Sequence, residues 1–505
     1  MTSIREYHER TNHSVASVRS NQHFLDWDNQ PLPFKIYVGL EPIPLPREFA
    51  PSEVPALSAL AMWTAAASGA PPLNLRLLAR LLYFSAGIVR TKTYPGGQVM
   101  GFRAAACTGA LYHIDLYLVC GDLPDLPAGV YHFGPHDFAL RRLRAGDHRG
   151  ALIEATAAES ATAAAPAAIV CTSTFWRNAW KYQARAYRHC FWDNGTILAN
   201  LLSMSAAEGV PARLVLGFVD AAVNSLLGLD TAHEVALSIV ALGGGAHPCP
   251  GPAPPAPPLT LETQPLSARE VDYPLVRAAH AATSLQTAAE VRDWRAAAVA
   301  ERAPTAPAAV PLQPMPQVPA RSLEDVILHR GSTRRFSRAP ISFAQLSTAL
   351  RSATRGVSAD FLATPSASLA DCYLIVNAVD GLAAGTYAFD RERQALQSLK
   401  SGDFRREAGF LDLGQELAAD AAVNWYLLAD LDPIFARLGE RGYRAAQLES
   451  AIIGGKLYLA AYALGFGATG LTFFDDDVTA FFAPHAAGKG VMFLVAAGRP
   501  ARRIG

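Results

Sequence analysis

Short runs rich in β-branched and aromatic residues alternate along this chain with longer stretches whose apolar positions recur every three or four residues. Asp115–Val119, Gly129–Phe133 and Ala168–Cys171 read as strands. Asn194 to Glu208 and Gln447 to Leu464 read as amphipathic helices laid on a sheet, and Leu73 to Phe84 as another helix. The alternation predicts an α+β fold, a mixed sheet flanked by helices, with one helix pairing two halves of the chain.

The halves are copies of one another. Tyr117 maps onto Tyr373, and 373 − 117 = 256. The same shift carries Leu126, Ala128 and Gly129 onto Leu382, Ala384 and Gly385, and Gly146-Asp147 onto Gly402-Asp403. Further on, Arg185, Tyr187 and Arg188 fall on Arg441, Tyr443 and Arg444, Gly209 on Gly465, and Phe218 and Asp220 on Phe474 and Asp476. A period this long is a whole domain, so the sequence predicts two tandem domains forming an intramolecular pseudo-dimer. The expected divisions are an arm over residues 1–40, a first domain over 41–246, a Pro-rich strap with a helix over 247–319, and a second domain over 320–505. Within the strap, residues 284 to 301 read as helical. Trp27 and Phe34 are expected to pin the arm to the first domain, with no catalytic part for His8 or His13.

Charge narrows the function. Lys plus Arg equals Asp plus Glu at 44 each, so no basic field attracts nucleic acid or an anionic membrane. No apolar run is long enough to span a bilayer, and the polar start has no secretory character. The six cysteines form no CxxC pair, which points away from a disulfide scaffold or zinc ribbon and toward a cytoplasmic location. His132 and His136 are separated by Gly134-Pro135 and lack a partner at ligand spacing, so no metal is expected. Gly243-Gly244-Gly245 opens onto prolines rather than a helix, unlike a dinucleotide fingerprint, and Asp475-Asp476-Asp477 reads as a helix N-cap cluster.

The second half opens with Arg330-Gly331-Ser332-Thr333-Arg334, where two guanidinium forks and a hydroxyl can surround a phosphate. Alone this reads as an exposed basic turn. A second basic cluster, Arg499, Arg502 and Arg503, at the other end of the same half favours the phosphate site, and nothing like the run precedes the first half's Leu73 to Phe84 helix.

These residues resemble the nitroreductase superfamily of FMN proteins, specifically its SagB/ThcOx-type azoline dehydrogenase branch. Arg330-x-Ser332-x-Arg334 is similar to the family's FMN-phosphate motif. Cys107-Thr108-Gly109-Ala110-Leu111-Tyr112, followed by Asp115-Leu116-Tyr117, resembles the branch's flavin-approaching PSAGALYxxELY loop, with Ala106-Cys107 in place of Pro-Ser. Pro365-Ser366 keeps that pair in the second half but lies three residues closer to its tyrosine, Tyr373. Lys181-Tyr182-x-x-Arg185-x-Tyr187-Arg188 resembles the branch's KYxxRxYR segment, while the second half has Arg437 and Leu438 there. The resemblance covers roughly residues 70 to 245 and 320 to 500.

The resemblance implies one FMN site built from complementary parts. Phosphate contacts would come from Arg330, Ser332, Arg334, Arg499, Arg502 and Arg503; loop contacts from Cys107, Thr108, Gly109, Ala110 and Leu111; backbone approach from Gly467, Thr469 and Gly470. Lys181 and Tyr182 would be catalytic, and a base role would require a lowered pKa from burial or a cation such as Arg185. Without the resemblance, Lys181 reads as a solvent-facing helix-start lysine, Tyr182 as a half-buried core tyrosine and Gly470 as part of a helix stop. The implied activity is oxidation of thiazoline or oxazoline rings to azoles in peptide natural-product biosynthesis, with dioxygen as acceptor. Expected partners are a peptide or carrier-bound heterocyclic substrate and a cyclodehydratase or other biosynthetic enzyme, on a monomeric pseudo-dimer or a homodimer. Two alternatives stay open: an NAD(P)H-dependent reductase of nitro or quinone compounds, and a non-catalytic scaffold of a biosynthetic complex.

Overall fold

The computed structural model describes residues 2–50, 52–63, 69–97, 99–244, 251, 256–301 and 309–501. Gly245 and the strap prolines Pro248, Pro250, Pro252, Pro254, Pro255, Pro304 and Pro307 lie outside them. Two seven-stranded sheets share one strand order. The first runs Pro42–Pro44, Ala139–Ala145, Gly129–Gly134, Ile114–Cys120, Ala167–Thr174, Glu234–Leu242, Ala212–Val215. The second runs Val310–Pro311, Ala395–Ser401, Gly385–Asp390, Ala370–Val376, Val423–Asp430, Lys489–Gly498, Gly467–Gly470.

The repeat extends to the register. Ile114 pairs with Ser173 and Ala370 with Ala429, where 370 − 114 = 429 − 173 = 256. The β-bulges repeat as well: Cys171/Thr172 recurs at Leu427/Leu428, and Val130/Tyr131 at Thr386/Tyr387. The ladders of both large sheets are antiparallel. Parallel pairing is found in a small Ile341–Ser342 with Val379–Asp380 ladder and in single bridges, one of which joins Leu214 of the first half to Ala359 of the second.

Between the sheets cross two long helices, Ala186–Ala207 and Gly442–Ala463, both buried nearly throughout. The first begins eight residues before the expected Asn194, because Ala186 to Asp193 are covered by the other half as well as by their own sheet. Small residues set the crossing: a Cβ on Gly195 would lie 2.4 Å from that of Ala451, and one on Gly455 would lie 2.7 Å from that of Ala199. Since 451 − 195 = 455 − 199 = 256, each contact joins a residue to its own counterpart, so both lie on the pseudo-two-fold axis. Apolar residues of both halves form one contiguous core.

Charge locks the same axis. Arg185 and Arg188 of the first half hold Asp475 of the second at 3.0 and 2.6 Å. Arg441 and Arg444 of the second hold Asp220 of the first at 2.6 and 2.7 Å. Asp475 and Asp220 thus play one role, so the counterpart of Asp220 is Asp475 and not Asp476, a one-residue slip from the expected register. Asp475 is the first residue of the Asp475–Phe481 helix; the cap position is Phe474, which gives no side-chain cap bond.

The arm and the strap complete these clusters and prove to be copies too. The arm helix Ile4–Arg10 and the strap helix Pro274–Ala282 each cover one cluster. Arg188 Nε donates to Thr11 Oγ1 at 3.0 Å, and Arg444 Nε to Thr283 Oγ1 at 2.8 Å. The His13 amide reaches Asp475 at 2.8 Å, and the Leu285 amide reaches Asp220 at 2.9 Å. Here 283 − 11 = 285 − 13 = 272, and His8 and His280 stand in the same relation, each giving its carbonyl to the arginine. Two expectations change. Ile4 and Tyr7, fully buried, pin the arm, whereas Trp27 is 65% exposed and only leans on Trp180. The strap has two helices, Pro274–Ala282 and Ala288–Ala296, because Leu285 is extended to meet Asp220 and Thr287 caps the second. No helix among the described residues is long and apolar enough to cross a membrane.

Burial pushes the Asp475 and Asp220 carboxyls up, but their arginines outweigh it and hold both at about 2. Removing one partner of such a buried pair costs about 3–5 kcal/mol. Asp475→Asn and Asp220→Asn are each expected to lose that much in chemical denaturation at pH 7. Because both pKa values lie below the ordinary 3.8, the contribution is full above that value and is lost as pH falls from about 4 to about 2. The difference between the parent and either variant should therefore shrink over that window.

Candidate functional site

The loop ahead of strand Ile114–Cys120 is tightly wound. Ala110 and Leu111 donate their amides to the carbonyls of Cys107 and Thr108, and φ is 63°, 55° and 49° at Gly109, Ala110 and Tyr112. Glycine takes such angles freely, but at Ala110 and Tyr112 they need support from outside. Some comes from Asp193 on the first long helix, which accepts the Thr108 amide at 2.9 Å. Leu111 is buried against Trp176 and Trp180.

Those tryptophans belong to the helix Phe175–Tyr182, anchored at its start by a fully buried pair, Arg177 with Asp115 at 2.9 Å. Its last two residues are Lys181 and Tyr182, both half-buried. The Tyr182 hydroxyl lies over the loop, 2.9 Å from where a Cβ on Gly109 would stand, so only glycine fits beneath it. Burial, then Asp193 and Cys107, push the Tyr182 hydroxyl above its ordinary pKa, with Arg334 opposing. This corrects the expectation of a lowered value. Arg185, the cation expected to lower it, is turned away into Asp475. At neutral pH Tyr182 is a hydroxyl donor. Lys181 has no hydrogen-bond or ion-pair partner among the described residues; its Nζ lies 5.4 Å from the Tyr182 ring centre.

The second half meets this loop directly. Arg330 donates to the carbonyls of Arg103 and Ala104 at 3.0 and 2.8 Å, while its Nε is buried and unpaired. Ser332 accepts from the Tyr458 hydroxyl at 2.8 Å and keeps its own proton to donate. Arg334 is exposed and free of partners among the described residues. The run lies against strand Gly467–Gly470, where Thr333 donates its amide to Ala468 and a Cβ on Gly467 would fall 2.1 Å from Thr333 Oγ1. Gly467 is needed for that packing, while Gly470 is open at the strand end. Arg499 donates to the Pro340 carbonyl at 2.9 Å, and no contact among the described residues joins it to Arg330 or Ser332. Arg502 and Arg503 lie outside the described residues.

An unpaired buried guanidinium nitrogen, a free hydroxyl proton and an open arginine suit the phosphate of the FMN that the resemblance implies. A cation outside the Arg330–Arg334 run strengthens the fit. Arg90, on the hairpin Ile88–Thr93 with Val99–Arg103, places its guanidinium 3.9 Å from the position of a Cβ on Gly331. This hairpin occupies an interval lengthened in the first half, 40 positions from Asn74 to Ile114 against 28 from Ser342 to Ala370, Asn74 and Ser342 both being helix caps.

Residues 327–499 match the Nitroreductase family profile. Over those residues the second half is similar to a nitroreductase-family domain. A crystal structure from Anabaena variabilis, described as a nitroreductase, superposes on 99% of this chain and 100% of its own with a TM-score of 0.78 and 28% identity. The fold is therefore a tandem nitroreductase fold from end to end. A Methanocaldococcus jannaschii protein named as a nitroreductase is 27% identical over 170 residues, 32% of this chain and 85% of its own. A chain of the Escherichia coli microcin synthetase complex with its truncated pro-peptide covers 49% of this chain at a TM-score of 0.31 and 20% identity, too distant to bear on activity.

One more feature of the site follows from the repeat. Gln183 ends the Lys181-Tyr182 helix at φ 51°, ψ −138°, and its counterpart Gly439 (439 − 183 = 256) ends Leu431–Leu438 at φ 59°, ψ −165°. Glycine dominates such angles, and another residue there is strained by about 1–3 kcal/mol. Asn21 donates to the Gln183 side chain at 3.2 Å and the strap helix Pro274–Ala282 packs against Gln183–Arg185, so arm and strap hold the strained corner. Gln183→Gly is expected to raise stability by about 1 kcal/mol, strain relief exceeding the ~0.5–1 kcal/mol of added chain freedom. Turnover should fall in the same variant, since Tyr182 loses its fixed end; thermal melts and rates measured together check the opposite signs.

Proposed function

We propose that this protein is an FMN-dependent dehydrogenase that oxidises thiazoline- or oxazoline-type rings to azoles in peptide natural-product biosynthesis. The observation that carries the reading is the placement of Tyr182, with Lys181 beside it in the chain, over Gly109 of the Cys107–Leu111 loop, with Arg330 of the other half bonded to the backbone just before that loop. Bound FMN would accept the hydride. Arg330, Ser332, Arg334 and Arg90 would hold its phosphate, and Gly470 would leave room for the ring system.

Tyr182, protonated at neutral pH, orients the substrate by donating a hydrogen bond. Lys181 takes the ring proton. The buried Trp180 and Leu111 keep water from the reacting face. Dioxygen serves as acceptor, and the enzyme that installs the ring, a cyclodehydratase, is the expected partner in the cytoplasm. The names of the Anabaena and Methanocaldococcus proteins favour a second reading, an NAD(P)H-dependent reductase of nitro or quinone compounds.

The purified protein is expected to carry one FMN per chain by visible spectrum and mass. Two would remove the asymmetric site, and none after reconstitution would leave the scaffold alternative. Lys181→Ala should keep its flavin and lose about 100-fold or more in azoline turnover, the scale of a lost general base. Full turnover in that variant would remove the assignment, and reduction of the bound flavin by NAD(P)H would favour the second reading.

A further inference from the structure

The Cys107–Tyr112 loop is strained at two non-glycine positions, Ala110 and Tyr112, and a loop of that kind stays in place only when something fixes it. Asp193 receives four donors. The Thr108 amide and hydroxyl reach Oδ1 at 2.9 and 2.7 Å; the Cys107 thiol and His113 Nε2 reach Oδ2 at 3.0 and 2.9 Å. An ionised carboxylate has about four lone-pair sites, so this one is filled. We propose that Asp193 is the positioning residue of the site, the anchor that holds this loop beneath Tyr182.

The groups behind Asp193 make the anchor rigid. His113 is fully buried, with Nδ1 2.8 Å from Ser173 Oγ, and Cys190 donates its thiol to Ser173 at 3.3 Å. A carboxylate can only accept, so His113 Nε2 is the donor to Asp193. The Tyr112 amide donates to Cys107 Sγ at 3.1 Å, which ties the far end of the loop to the same thiol.

The second half is an internal control. Asp193 maps onto Glu449 (449 − 193 = 256), which accepts from Ser368 Oγ at 2.6 Å and the Leu369 amide at 2.7 Å. A carboxylate from the same helix position therefore holds the corresponding loop in both halves. The same shift turns His113, Ser173 and Cys190 into Leu369, Ala429 and Ala446. The polar chain behind the carboxylate is present in the half that has Lys181-Tyr182 and replaced by apolar residues in the half that lacks the pair. Packing alone would not demand that difference, since the apolar version also folds.

Asp193 touches neither Lys181 nor Tyr182 in any hydrogen bond, and its influence passes through the loop and through its charge. That charge contributes to keeping both the Cys107 thiol and the Tyr182 hydroxyl protonated. Cys107 is thus a locked donor rather than a free nucleophile. What the loop presents to a cofactor rests on the proposed function, whereas the anchoring does not.

Cys107 alkylation reports on the anchor without substrate. The full-length protein is treated with iodoacetamide, and modification of Cys107 is followed by peptide mass mapping in the parent, Asp193→Asn, Asp193→Glu and Thr108→Val. Expected are slow modification in the parent, at least about tenfold faster in Asp193→Asn, near-parental rates in Asp193→Glu, and an intermediate rate in Thr108→Val, tenfold being the loss of one charge-assisted hydrogen bond. Parental protection of Cys107 in a folded Asp193→Asn overturns the proposal. Should that variant not fold, Thr108→Val decides: faster modification supports the anchor, and an unchanged rate overturns it. A parent protein that never binds FMN would sink the functional reading while leaving this comparison intact.

Discussion

Two buried carboxylates, each clamped by two arginines of the opposite half, are the constraint on which the rest of this molecule depends. Asp475 and Asp220 are 2% and 3% exposed, and Arg188 and Arg444 are fully buried. Charges so far from water are tolerated only when all are present, because any one left alone costs several kcal/mol in desolvation. Neither half can be removed without stranding a pair of guanidinium groups. Arm and strap follow from the same need: with two arginines sharing one carboxylate, the remaining donors require acceptors, which Thr11 and His8 supply on one side and Thr283 and His280 on the other.

A symmetric homodimer repeats every substitution at both of its sites, whereas joining the copies in one chain lets them diverge. The first half holds the Lys181-Tyr182 pair, the polar chain behind Asp193 and the hairpin bearing Arg90. The second half holds the Arg330–Arg334 run. At the positions corresponding to the pair it has Arg437 and Leu438, and Arg437 now donates to the carbonyls of Ala297 and Ala298 on the strap. There the position that bears Lys181 in the first half makes a structural contact in the second.

The 256-residue shift made strands, bulges and long helices legible because sheet register and helix crossing tolerate no insertion. The arm escaped it for a physical reason: loops between arm and sheet absorbed insertions, so the arm helix repeats at 272, and over residues 4–13 only Arg5, His8 and Thr11 are identical to their counterparts Arg277, His280 and Thr283. Asp193 escaped because its counterpart is Glu449, one methylene longer, so the two positions share a charge but not a residue type. The protonation of Tyr182 was illegible in principle, since sequence spacing put Arg185 three residues away while the fold spends that guanidinium on Asp475.

Strain at Gln183 ties these observations together. Gly439 shows that the corner needs a positive φ in both halves, and that the half without the Lys-Tyr pair has the relaxed residue. An unfavourable backbone persists where surrounding contacts over-determine it. Those contacts come from Asn21 on the arm, the strap helix Pro274–Ala282 and His23, whose ring nitrogen lies 2.9 Å from the Trp180 carbonyl. Arm and strap are held in turn by the arginine–aspartate clusters, so the geometry at Tyr182 is set, through two intermediate segments, by ion pairs at the pseudo-two-fold axis. A weakened cluster on either side would therefore act on the site through Gln183, without any change in the residues that touch a substrate.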